Sequence, residues 1–226
     1  MTTTSPATPA ATPAATPAAT TGGPPRVLLA VLAVVSAIAL LAAGAGLAVA
    51  TGLGADRPPG ERSVDAGFAR DMATHHAQAT EMAQVVRDGG TDPTVRLMAF
   101  DVETQQLSQI GQLRGWLQTW GLTGQSTEPA MSWMGHSLQP GERMPGLATS
   151  AELARLRTLS GRPLDVYFLQ LMIRHHRGGF EMAEAAAARA DEPYVRDLAT
   201  KIAQGQQAEV VTMERMLRER GGQPLS

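Results

Sequence analysis

The segment Met172-Ile173-Arg174-His175-His176-Arg177-Gly178-Gly179-Phe180-Glu181-Met182 repeats, at an offset of 100 positions, the pattern of Met72-Ala73-Thr74-His75-His76-Ala77-Gln78-Ala79-Thr80-Glu81-Met82. Both copies read Met-x-x-His-His-x-x-x-x-Glu-Met, and together they hold four of the chain's 5 histidines. A helix turns by about 100° per residue, so His75 and Met82 share a direction, with Met72 and His76 flanking it in one stripe. Imidazoles and thioethers are therefore expected to converge. Thr74, Gln78 and Glu81, and in the second copy Arg174, Arg177 and Glu181, fall on the opposite side and read as a solvated face. There Arg177 and Glu181 are spaced as an i,i+4 surface pair, worth a few tenths of a kcal/mol.

The same offset extends well beyond the motif. Asp165 and Phe168 match Asp65 and Phe68; Glu192-Pro193-x-Val195-Arg196 matches Asp92-Pro93-x-Val95-Arg96; Gln206, Leu217 and Gly221 match Gln106, Leu117 and Gly121. A gapless register of this length predicts duplicated helical hairpins. The first helix is expected to start at Ser63 or Asp65 and to end at Asp88-Gly89-Gly90, and Asp92-Pro93 and Gly121 bound the second. One hairpin alone leaves an apolar face in water. Two should pack into an all-α four-helix bundle spanning residues 64–221.

Ahead of the bundle lie three different compositions. Residues 1–26 are mostly a Thr/Pro/Ala repeat, expected to be disordered because it has too little apolar surface to bury. Residues 27–50 contain no charge and are long enough to cross a hydrocarbon core of roughly 30 Å at about 1.5 Å per residue. They read as a transmembrane anchor or uncleaved signal, although Ala48-Val49-Ala50 also fits a cleavage site that would release the remainder. Residues 51–63 form a polar spacer. A signal-like start places the folded part outside the cytoplasmic membrane, single-pass or secreted. A net charge of −2 argues against a nucleic-acid partner.

Between the hairpins, residues 122–162 make a long connection. Thr149-Ser150-Ala151-Glu152 fits a capping box opening a short helix to about Leu159. Met131, Met134 and His136 give the connection a set of donors of its own.

Histidine and methionine without any cysteine form a ligand set suited to Cu(I), and also to Ag(I), better than to Mg²⁺, Ca²⁺ or structural zinc. The candidate ligands are His75, His76, Met72 and Met82, with His175, His176, Met172 and Met182. Met131, Met134, His136 and Met213 are secondary candidates. Each methionine taken alone reads first as a core filler, the usual role of a Met stripe on a helix. The histidines are harder to dismiss, because a buried imidazole without a partner costs on the order of 1 to 3 kcal/mol. Hydrogen bonds or a metal must satisfy them. Asp65 and Asp165 stand three turns earlier on the same stripe and could orient an imidazole or cap a helix. Gln106, Gln109, Gln206 and Glu209 on the partner helices could hold imidazole N–H groups.

At these residues the chain resembles the bacterial family filed as domain of unknown function 305. Asp165-x-x-Phe168-x-x-x-Met172-Ile173-x-His175-His176-x-Gly178, Glu181-Met182-Ala183 and Met144-Pro145-Gly146 carry the resemblance, which covers about residues 65–221. It implies a ferritin-like four-helix bundle in an exported or membrane-attached protein, some relatives being periplasmic copper-binding proteins that use His and Met. Leu147 stands where relatives often have methionine. Gln109 stands where the second repeat keeps the family's acid, Glu209.

The expectation is thus an extracytoplasmic protein that binds a copper ion for sequestration or handover, without enzymatic chemistry, alone, as a homodimer or with a metal-transfer partner. Two other readings remain open. One is a non-metal interaction module of the envelope. The other is a di-metal oxidase, against which stands the lack of any Glu-x-x-His in the chain.

Overall fold

The computed structural model describes residues 1–2, 25–51 and 57–225, so most of the Thr/Pro/Ala stretch and residues 52–56 lie outside the described residues. The described residues form six α-helices and one 3-10 turn, with no strand among them. Two compact units result, Met1–Asp56 and Arg57–Ser226.

The first unit holds one helix, α1 (Arg26–Thr51), in which no residue is buried. Its 26 residues span about 39 Å at about 1.5 Å per residue, enough for a membrane span or a signal sequence.

The second unit is built from α2 (Val64–Gly89), α3 (Pro93–Thr119), the short α4 (Ser150–Thr158), α5 (Gly161–Arg189) and α6 (Pro193–Glu219). Their ends follow the local chemistry. The Ser63 hydroxyl accepts the Ala66 N–H, Asp92 accepts from Thr94 and Val95 with Pro93 at the first turn, and Thr149 and Glu152 form the expected capping box. Gly121 and Gly221 follow α3 and α6 with φ of 72° and 64°, values that favour glycine.

The hairpins α2–α3 and α5–α6 join through an antiparallel α2–α5 contact. Asp65, at the start of α2, accepts the N–H groups of Asp191 and Glu192 in the α5–α6 turn. Asp165, at the start of α5, accepts from Asp92 N–H and the Thr91 hydroxyl in the α2–α3 turn. These acids therefore neither orient an imidazole nor cap their own helices. Each ties its hairpin to the turn of the other. At the rim, Arg220 pairs with Asp92 and the Trp120 indole donates to the Tyr194 hydroxyl at 3.0 Å, linking α3 to α6 at both ends.

The core divides into two apolar clusters. One gathers Phe68, Met72, Leu113, Leu117, Met182, Ala186 and Val195. The other gathers Met82, Val86, Val95, Val102, Phe168, Met172, Met213 and Leu217. In sequence the division falls on His75-His76 in α2 and His175-His176 in α5. A polar layer thus crosses the middle of the bundle.

Candidate metal centre

That layer is built by the duplication. α2 supplies His75 and His76, α5 supplies His175 and His176, and α3 and α6 supply Gln106 and Gln206. All four imidazoles are 0% exposed. Antiparallel packing brings His75 and His175 together, ring centroids 3.9 Å apart and planes inclined by 38°. His76 and His176 lie farther out, 6.4 and 6.0 Å from their sequence neighbours.

Hydrogen bonds fix the proton on three rings. His75 Nε2 lies 2.9 Å from the Pro145 carbonyl oxygen, and His175 Nε2 lies 3.0 Å from the carbonyl oxygen of His75. His176 Nε2 lies 2.7 Å from the Glu209 carboxylate. Carbonyls only accept, and an ionised carboxylate does likewise, so in each case Nε2 carries the hydrogen. In a neutral ring the lone pair then sits on Nδ1. The Nδ1 atoms of all four histidines are buried without a hydrogen-bond partner among the described residues. His76 has neither nitrogen bonded, and the Gln109 amide stands beside it without a well-formed bond.

Burial also sets the charge state. Desolvation pushes His75 down to about 4 and holds His76 and His175 well below the usual imidazole range, and the charges of neighbouring rings press the same way. These three rings are neutral at physiological pH. Neutral imidazoles whose N–H is held by a carbonyl with the other nitrogen free, as in His75 and His175, are a form in which histidine binds metals.

The methionines divide between the two apolar clusters. Met72 and Met182 lie in one apolar cluster with Met131 and Met144; Met82 and Met172 lie in the other with Met213 and Met216. Thioethers thus border the histidine layer from both sides. Met131, at φ 66°, is fully buried, and its N–H donates to Asp71 at 2.8 Å. Met134 is half-buried and His136 is exposed, so the connection does not gather its three donors into one buried group.

No group of three or more His, Asp or Glu side chains positioned to hold a metal occurs among the described residues. The donors on offer are Nδ1 lone pairs with thioethers at the layer's borders. Such a set fits a soft ion of low coordination number and not a carboxylate-rich centre.

Several supporting residues were hidden from helical spacing. The loop Met144–Ala148 straps the α2–α5 seam: Gln78 donates to Ala148 O at 3.0 Å and accepts Ala148 N–H at 2.6 Å. A Cβ on Gly178 would lie 2.2 Å from the Pro145 oxygen, and one on Gly146 (φ 78°) would lie 2.5 Å from Arg174 O. Arg174 meanwhile makes paired bonds of 2.8 and 2.7 Å to Glu152 of α4. Gln78 and Arg174 therefore anchor the strap and α4 instead of facing free solvent. Arg177 also departs from expectation, pairing with Glu214 of α6 at 2.7 Å and not with Glu181. Two adjacent glycines inside α5 were the one signal in the sequence that something approaches closely there.

The model for the family called domain of unknown function (DUF305) matches residues 65–217, most of the second unit. The chain belongs to the DUF305 family. A DUF305 protein from Streptomyces coelicolor, described as secreted, shares 42% identity over 74% of this chain and 99% of its own, with a TM-score of 0.70. A DUF305 fragment from Deinococcus radiodurans shares 33% identity over 71% and 99%, with a TM-score of 0.59. CopM, solved in a Cu(II)-bound form, shares 24% identity over 69% and 96%, with a TM-score of 0.56. At that identity the likeness to CopM establishes the common fold. No curated protein matches the chain.

Proposed function

We propose that this DUF305 protein binds a soft metal ion, Cu(I) foremost with Ag(I) or Cu(II) as alternatives, for sequestration or delivery without chemistry of its own. One observation carries the reading: four fully buried imidazoles present Nδ1 atoms without a partner, while three of them have Nε2–H held by Pro145, His75 and Glu209. A buried acceptor left unpaired costs about 1 to 3 kcal/mol, and a bound cation removes that cost. His75, His76, His175 and His176 are the nitrogen ligands. Met72, Met82, Met172 and Met182 are the thioethers available from the adjoining clusters. CopM, which has this fold, was solved in Cu(II)-, Cu(I)- and Ag-bound forms. The domain would work outside the cytoplasmic membrane, tethered by α1 or released from it.

Melting scans with and without Cu(I), under reducing conditions, test the reading. At a hundredfold excess over Kd, binding adds about 2.7 kcal/mol to stability. For a domain of this size that raises Tm by roughly 5 to 10 °C. The His75→Ala/His175→Ala protein should show no such rise. A wild-type protein whose Tm did not respond would contradict the proposal.

A further inference from the structure

We propose that the ion enters and leaves through a groove between α5 and α6 whose floor is His176, so that this imidazole, held by Glu209, is the first it meets. The inference rests on the metal reading above and names the route to that site.

The groove has a volume of about 380 Å³ and is lined by His176, Arg177, Phe180, Glu181, Gln207 and Val210. Its floor is unusual. His176 is 0% exposed, yet it borders this surface cavity, and its Nδ1 has no partner. The Glu209 carboxylate that holds Nε2 is itself 20% exposed, so the hydrogen bond fixing the ring runs from the buried layer to water. Half-buried Phe180 and Val210 form apolar walls. Among the lining residues Arg177 is turned toward Glu214, which leaves the Glu181 carboxylate to favour an approaching cation.

The other rings are closed off. The Pro145 carbonyl of the strap covers His75 Nε2, and His175 Nε2 is bonded to the backbone of α2. The duplicated hairpin supplies a contrast within the same molecule. Thr80 and Leu107 stand where Phe180 and Gln207 line the groove, and Gln109 stands where Glu209 holds His176, so that side lacks the carboxylate. There Glu81 is paired with Arg157 of α4, which lies over that helix.

Filling the groove tests the route. Gln207 is exposed, so Gln207→Trp adds bulk without entering the core; half-buried Val210 packs against the Met213 cluster, so the rate of Val210→Trp is read beside its Tm. Each variant, loaded with Cu(I), is mixed with an excess of a Cu(I) chelator and followed by stopped flow, with Tm and the equilibrium competition measured on the same samples. The expected result is transfer slowed by about tenfold or more with affinity and Tm unchanged, since blocking a path alters rates and not end states. Leu107→Trp, the matching change on the α2–α3 face, should transfer at the wild-type rate. Wild-type rates in both groove variants, or equal slowing in Leu107→Trp, would overturn the route while leaving the site intact. Wild-type protein that retained no Cu(I) would overturn the metal reading and the route with it.

Discussion

At the scale of single residues, the histidines were legible as a group and their protons were not. The repeated Met-x-x-His-His spacing was enough to put four imidazoles inside a bundle, because helical period and duplication act together. Which nitrogen faces a carbonyl depends on Pro145, seventy positions from His75, and no local pattern encodes that contact. Neutral burial has a measurable consequence. A histidine whose folded pKa is depressed adds stability that is fully present above its unfolded value near 6.5 and is lost as pH falls toward the folded one. For His75 the window therefore runs from about 6.5 down to about 4. His76 and His175, shifted the same way, add to the slope in its upper part. Each group contributes up to about 1.4 kcal/mol per pH unit inside its window. Urea titrations of the metal-free domain at pH 7, 6 and 5 should show stability falling with acidification. A flat profile would mean that the rings are not held neutral.

At the scale of elements, most boundaries followed from caps that act within a few residues: Ser63, Asp92 with Pro93, and the Thr149–Glu152 box. Longer-range partners did not follow. Asp65 and Asp165 looked like caps or imidazole supports, and instead each accepts backbone N–H groups from the opposite hairpin's turn. Helical spacing says which side chains share a face and is silent on which helix that face meets. The glycines divide along the same line. Gly178 lies against Pro145, where a Cβ would come within 2.2 Å of the carbonyl oxygen, whereas Gly111 in α3 has nothing within 4 Å. Gly111→Ala should raise stability by about 0.5 to 1 kcal/mol through helix propensity. Gly178→Ala should lower it, because the rigid strap must move to make room. Paired urea melts read both signs, and a stabilising Gly178→Ala would show that the strap does not press on α5.

At the scale of the whole molecule, a polar layer separates two apolar clusters in the second unit, and this arrangement explains why the methionines divide between them. The sequence shows His and Met on one stripe. Once two antiparallel copies pack, each motif's first methionine meets the other motif's last, and the histidines remain at the centre. The unit Arg57–Ser226 has its own core and every candidate ligand. A protein begun at Arg57 should therefore melt cooperatively, and its Tm should match that of the full chain in detergent to within about 2 °C. A much lower value would mean that the residues before it help to hold the bundle together.

The most direct test of the account is long-range ¹H–¹⁵N NMR of the histidine rings in the metal-free domain, followed by titration with Ag(I). The account predicts that His75 and His175 begin as Nε2–H tautomers with a bare Nδ1, and that Nδ1 resonances of the buried layer move as silver is added while the Nε2–H signals persist. Buried rings protonated on Nδ1, or Nδ1 resonances that ignore stoichiometric silver, would contradict it.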